Sequence, residues 1–280
     1  LPGPKKLDPS ASPRALLGAE LRHRRETAGL SQEDLGAPLF VSGSFIGQLE
    51  AGTRRMQADQ AARLDEVLGA DGFFVRNCAA LKASKYPDHF AEAAEAERVA
   101  TTIKEYAPLL IPGLLQTEAY ARAVFRAYQP TATEDVIEDL VASRLERAQI
   151  LTDPTTPMLW VVLDEAVLRR KAGGAAVMAE ALQQVAGMAR RNRLIAQVLP
   201  FSLGAHAALD GGLKLMTFRD APPLAYVDGL GMGRLQDDPA TVVRYELTYD
   251  LLVAGALPPD ASLALIESVS EDYAHEDQQL

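Results

Sequence analysis

Ser44, Gly47 and Gln48 recur at the three- and four-residue spacing that gathers side chains on one face of a helix. Ile46 and Leu49 turn the opposite way and make an apolar, inward face. An outer face carrying a hydroxyl, an amide and small residues suits the DNA major groove, where glutamine pairs in bidentate fashion with adenine and serine contacts either base. Ser44 and Gln48 are therefore the base-reading candidates, with Gly43 and Gly47 at neighbouring base-facing positions that lack side chains. Phosphate-binding chemistry surrounds them. Gln32 opens the preceding helix, Ser42 stands just before the reading helix, and Thr53, Arg54 and Arg55 form the loop after it.

The elements that must hold these residues are two short helices joined by a tight turn. Leu35 and Leu39 line the first, and Ile46 and Leu49 the second. Ser31 and Ser42 stand where a hydroxyl caps a helix start. A capping box needs Glu or Gln three residues after Ser31, and the shorter Asp34 there leaves the box incomplete on this reading. Gly36 permits close approach of the two helices, and Gly52 ends the second.

With these residues in place, the segments Leu30 to Leu35 and Ile46 to Gly52 resemble the Xre/Cro-type helix-turn-helix family. The resemblance implies a DNA-binding head whose post-helix loop lies on the DNA backbone. Two departures stand out: Phe40 occupies a turn position usually held by glycine, and Gly43 replaces a frequent base-reading side chain. Farther on, the run from Tyr106 to Ala121, with Leu159 to Ala166 and Gln197 to His206, is similar to a group of actinobacterial regulators that includes WhiJ. That resemblance covers nearly the whole chain. It implies an Xre-type transcriptional regulator with a C-terminal domain of unclear biochemistry, often encoded beside a small partner protein.

The 280 residues, 48% hydrophobic and 24% charged, suffice for two globular domains. A single cysteine, Cys78, rules out an internal disulfide and suits a reducing cytoplasm. The apolar run from Met158 to Leu163 is far short of the ~18 residues that suggest a membrane span, and no leader pattern opens the chain. Net charge is −10, but residues 1–78 hold 10 basic and 10 acidic side chains, so the whole excess lies beyond them. A neutral head with clustered arginines on an acidic body can still bind phosphate, with strong salt dependence.

The expected layout is a disordered arm over residues 1–13, a helix-turn-helix domain over 14–78, a helical connection over 79–105 and a C-terminal domain over 106–280. The fold class is α+β overall: an all-α head, then a mixed α/β domain with a small sheet backed by helices. Met158 to Leu163, Leu194 to Leu199, Leu213 to Phe218 and Leu224 to Val227 read as strands. Ala93, Ala96, Ala100 and Ile103 read as a helical stripe, with Glu92, Glu95 and Glu97 on a solvated face. Thr117 caps one helix, Thr131 and Glu134 form a capping box for the next, and Asp238-Pro239 starts another.

For chemistry in the C-terminal domain, the candidates are Asp164 and Glu165 at a strand end and His206 in a glycine-bearing loop. Ser202 lacks the G-x-S-x-G context, the four histidines are dispersed, and the glycine clusters lack the lysine of a phosphate loop. No catalytic residue, metal or cofactor is called for. Asp164, Glu165 and His206 are instead expected to line a site for a small effector or a small partner protein. The expected partners are an operator in double-stranded DNA and a second copy of the chain, with no membrane. An antitoxin-like component of a two-protein system, or a DNA-tethered enzyme, are the other readings.

Overall fold

The computed structural model describes residues 9, 13–52, 54, 56–82, 88–229 and 232–278. Nearly all of the expected arm, Thr53, Arg55 and residues 83–87 of the expected helical connection lie outside the described residues. The chain divides into two compact units, residues 1–87 and 88–280.

The first unit is all helical: α1 (Pro13–Thr27), α2 (Gln32–Gly36), α3 (Gly43–Glu50), α4 (Ala58–Leu68) and α5 (Phe73–Lys82). Leu21, Leu35, Ile46, Leu64 and Phe74 are completely buried in its core. Asp65, itself buried, caps α5 by accepting from the Phe74 and Val75 N–H groups at 2.9 Å each. The Ser31 box is complete, contrary to expectation. The Ser31 hydroxyl accepts from Asp34 N–H at 3.1 Å, and Asp34 reaches back to the Ser31 N–H at 3.0 Å. These bonds hold the Asp34 carboxyl below its ordinary range.

In the second unit a six-stranded sheet runs in the order β3-β2-β1-β4-β5-β6. Its strands are β1 (Thr102–Ala107), β2 (Met158–Asp164), β3 (Leu194–Leu199), β4 (Gly212–Thr217), β5 (Leu224–Gly229) and β6 (Met232–Gln236). The first three are parallel and the last three form an antiparallel meander joined to β1. The connections carry α7 (Glu118–Tyr128) and α8 (Glu134–Ala148), then α9 (Glu165–Arg169) and α10 (Ala175–Arg190). Two helices close the chain, α11 (Pro239–Gly255) and α12 (Pro259–Asp277).

Alternation along the strands divides the core between the two faces. Ile103, Val161, Leu163, Val198 and Met216 meet α10 and α12 on one face. Tyr106, Val162, Leu213 and Leu215 meet Val242, Tyr249 and Leu252 of α11 on the other. The expected strands are present, and so are the caps by Thr117 and Asp238. Thr131 is not the N-cap, because α8 starts two residues later with Thr133 in that position, and Glu134 pairs with Arg126 instead.

The larger difference lies in the expected helical connection. Helix α6 (Asp88–Val99) belongs to the second unit, and residues 102–107 form the central strand of its sheet. Glu92 and Glu95 are exposed as expected. Glu97 is not solvated: it is completely buried, paired with Lys214 and, at 3.4 Å, with Arg147. No single helix among the described residues is long and apolar enough to cross a membrane.

Candidate functional site

Helix α3 seats its inner face on the core through Ile46 and Leu49 and leaves Ser44 and Gln48 exposed. Ser42 fixes the start of α3: its hydroxyl accepts from the Phe45 N–H at 3.2 Å, while the residue remains exposed. Arg54 returns over the same helix. Its guanidinium stacks on the Phe45 ring at 4.3 Å and donates to Gln48 Oε1 at 3.4 Å. Its backbone N–H donates to the Gln48 carbonyl at 3.2 Å. Arg54 thereby limits the swing of the exposed Gln48 amide, a group that can pair with adenine.

Gly43 and Gly47 do a different job from the one expected of them. Gly43 is buried, and a Cβ there would meet Glu33 Oε2 at 2.5 Å; its N–H donates to that carboxylate at 3.2 Å. A Cβ on Gly47 would meet the Gln32 amide at 3.2 Å. Both glycines let α2 approach α3 closely, with Gly43 buried and Gly47 half-buried. Phe40, in the turn, takes the left-handed conformation (φ 56°) that glycine would adopt more easily, with its ring 97% exposed.

Gln32 also departs from expectation. Its side-chain amide points inward and donates to Glu50 Oε2 at 2.8 Å, so it is not extended toward a phosphate. Glu50 is fully buried and also accepts from Arg25 Nε at 2.5 Å and Arg22 Nε at 3.2 Å. Burial alone would raise the Glu50 carboxyl; the bonds from Arg25, Gln32 and Arg22 outweigh it and hold the group below its ordinary range. Arg25 is raised by the same hydrogen bond and donates onward to the Leu30 carbonyl at 2.8 Å. This hub ties α1, α2 and α3 together.

In the second unit the structure brings Asp164, Glu165 and His206 to the carboxyl ends of the parallel strands, where open α/β sheets place their ligands. Asp164 ends β2 and caps α9 through Oδ1, which accepts from the Ala166 N–H at 2.8 Å. Its Oδ2 accepts from the Tyr106 hydroxyl at 3.2 Å and lies 3.8 Å from His206 Nε2. His206 Nε2 is 3.3 Å from the same hydroxyl, and its Nδ1 accepts from the Ala208 N–H. With Nδ1 accepting, the neutral ring carries its proton on Nε2, so a chain of donors runs from His206 through Tyr106 to Asp164. Burial, and then the Asp164 charge, hold the Tyr106 hydroxyl well above its ordinary range, which keeps it a donor.

Glu165 sits beside this chain and outside it, accepting from the Phe201 N–H at 3.1 Å and from Arg169. Tyr106 is the member that local sequence signals do not single out, because the residues just before it carry a helical stripe and it stands in β1. The apolar side chains Leu109, Phe201, Leu203 and Leu209 are exposed in the segments that follow β1 and β3. An open groove of about 610 Å³ lies elsewhere, lined by Ala119, Arg122, Gly173 and Val177, and none of the three candidates borders it.

Two family matches agree with this division. Residues 16–72 match a family described as helix-turn-helix domain. Residues 90–268 match a family described as Domain of unknown function (DUF5753). Neither a curated protein nor a solved structure matches the chain.

Proposed function

The chain belongs to the DUF5753 family and carries a DNA-binding helix-turn-helix head, and from that premise we propose that it is a sequence-specific transcriptional regulator. It acts in the cytoplasm, as a homodimer on a two-part operator, and by binding, not catalysis. The observation that carries this reading is the exposed face of α3, where Ser44 and Gln48 project beside a loop arginine that braces Gln48. One head offers few base contacts, and Gly43 and Gly47 add none. Two heads on half-sites ~34–36 Å apart would restore affinity and specificity.

The Tyr106–Asp164–His206 chain supports an effector or partner-protein site at the strand ends, in keeping with the resemblance to actinobacterial WhiJ-like regulators. An occupant would alter DNA affinity only by as much as it prefers one conformation of the regulator over another.

The test is operator selection on randomised DNA. Gln48→Ala should relax preference at one position of each half-site, a loss of ~1–3 kcal/mol of discrimination, and leave nonspecific binding nearly unchanged. Arg54→Ala should weaken binding to all sequences and make the salt dependence shallower, with a smaller added loss at the position that Gln48 reads. Identical motifs from mutant and wild type would remove Gln48 from the interface. His206→Ala should leave operator binding intact; turnover of a metabolite by purified protein, lost in that variant, would replace the binding view with an enzymatic one.

A further inference from the structure

Helices α10 and α12 cover one face of the sheet, whereas α11 is the helix over the other. Its inner side is buried through Val242, Tyr249 and Leu252. Its outer side exposes Val243, Leu247 and Leu251 at 61%, 60% and 55%. Four-residue spacing makes these three a single ridge, the form that packs into the groove of another helix. The ridge continues past the end of α11. A Cβ on Gly255 would lie 2.8 Å from Leu203, so the turn bearing Leu203 and the exposed Phe201 abuts the helix end. That continuation matters, because a standard interface covers about 800 Å² per partner, more than one ridge supplies.

The flanks of the ridge carry opposite charge. At about 100° per residue, Arg244 lies roughly 60° to one side of Leu247, and Asp250 roughly 60° to the other with Glu246 beyond it. Two copies of such a helix can pair in two ways. With the two-fold axis along the helices, each copy sets its basic flank against the acidic flank of the other, at both edges. With the helices antiparallel, like flanks meet and repel. The charge pattern therefore complements itself only in the parallel arrangement.

We propose that the outer face of α11 is the homodimer interface: a second copy docks with its α11 alongside in parallel, and the Arg244 flank of each copy faces the flank of the other that carries Glu246 and Asp250. This rests on the dimer reading above and adds the surface and the orientation. The test is sedimentation of the full chain over a range of concentrations, with circular dichroism to check folding. Wild type should be a dimer and Leu247→Glu a monomer; Leu247 is exposed, so the change should not disturb the fold. Arg244→Asp and Asp250→Arg should each weaken the dimer by about tenfold or more, and the double reversal should recover most of the loss. A wild-type monomer at every concentration would overturn the dimer reading itself. A dimer indifferent to Leu247→Glu would overturn this surface alone. Single reversals that leave association unchanged would mean that like flanks already face each other in antiparallel helices, and would overturn the orientation.

Discussion

Glu50 in the first unit and Glu97 in the second are both completely buried, yet their surroundings differ. Glu50 is a single carboxylate held by donors from Arg22, Arg25 and Gln32. Glu97 shares Lys214 with a second carboxylate, Glu105, whose Oε2 lies 3.1 Å from the same ammonium, while Arg147 stands at 3.4 Å. Helix α2 is five residues long, too short to persist unaided. Its attachment to α1 and α3 runs through the Glu50 hub and a small core. The Glu97 group sits among α6, α8 and the sheet of a unit with two substantial apolar layers. A small domain leans on its buried charge; a larger one tolerates it.

Removing Glu50 should have the largest effect. Glu50→Ala removes the carboxylate that neutralises the buried Arg25, a loss of ~3–5 kcal/mol, comparable to the whole stability of a small domain. The head should lose cooperative melting while the second unit keeps its own. Trp160, in β2, is the chain's one tryptophan, so its fluorescence follows the second unit, and amide NMR signals follow the head. Glu97→Ala should lower the midpoint of the second unit without abolishing its transition. Equal damage in both units would break the comparison.

Acid should act in the same sense on Glu50 but less severely, since a protonated carboxyl keeps its shape. Its folded value lies below the unfolded one, so its stabilisation is present above about pH 4.3 and is lost as pH falls through the folded value. Glu105 is shifted the other way: burial outweighs Lys214 and raises it. Its folded form binds a proton that the unfolded chain lacks, so its contribution is greatest below about pH 4.3 and declines as pH rises through the raised value. Denaturation between pH 3 and 7 should show the head weakening with acid before the second unit does. Parallel decline of the two signals would contradict this.

The smallest effect belongs to the turn. Phe40→Gly gives up almost no burial and relieves a left-handed conformation costing roughly 1–2 kcal/mol, partly offset by the entropy glycine loses on folding. A gain of about 1 kcal/mol, a few degrees in the melting of the head, is expected. An unchanged or lower midpoint would show that the ring makes a contact worth keeping.

Short-range rules made much of this molecule legible from its residues. Leu35, Ile46 and Leu49 at helical spacing, with Ser31 and Ser42 before the helices, specify the helix pair, because capping and amphipathic periodicity act within a few residues. The β-formers of 158–163 and 194–199 announced buried strands for the same reason. Asp164, Glu165 and His206 could be named as polar residues next to strands, though nothing local showed that two of them would join Tyr106.

Contacts across the chain decided the rest. Residues 102–107 have no strong local preference, and it is pairing with β2 and β4 that makes them a central strand. Tyr106 meets partners 58 and 100 residues away, and Lys214 reaches back 117 residues to Glu97. Gln32 turned inward because Glu50 needed a donor more than solvent did. Helix α11 carries apolar residues on two opposite sides, and periodicity alone does not say which of the two is buried. Only the sheet, by covering one side of it, determined that Val243, Leu247 and Leu251 remain outside.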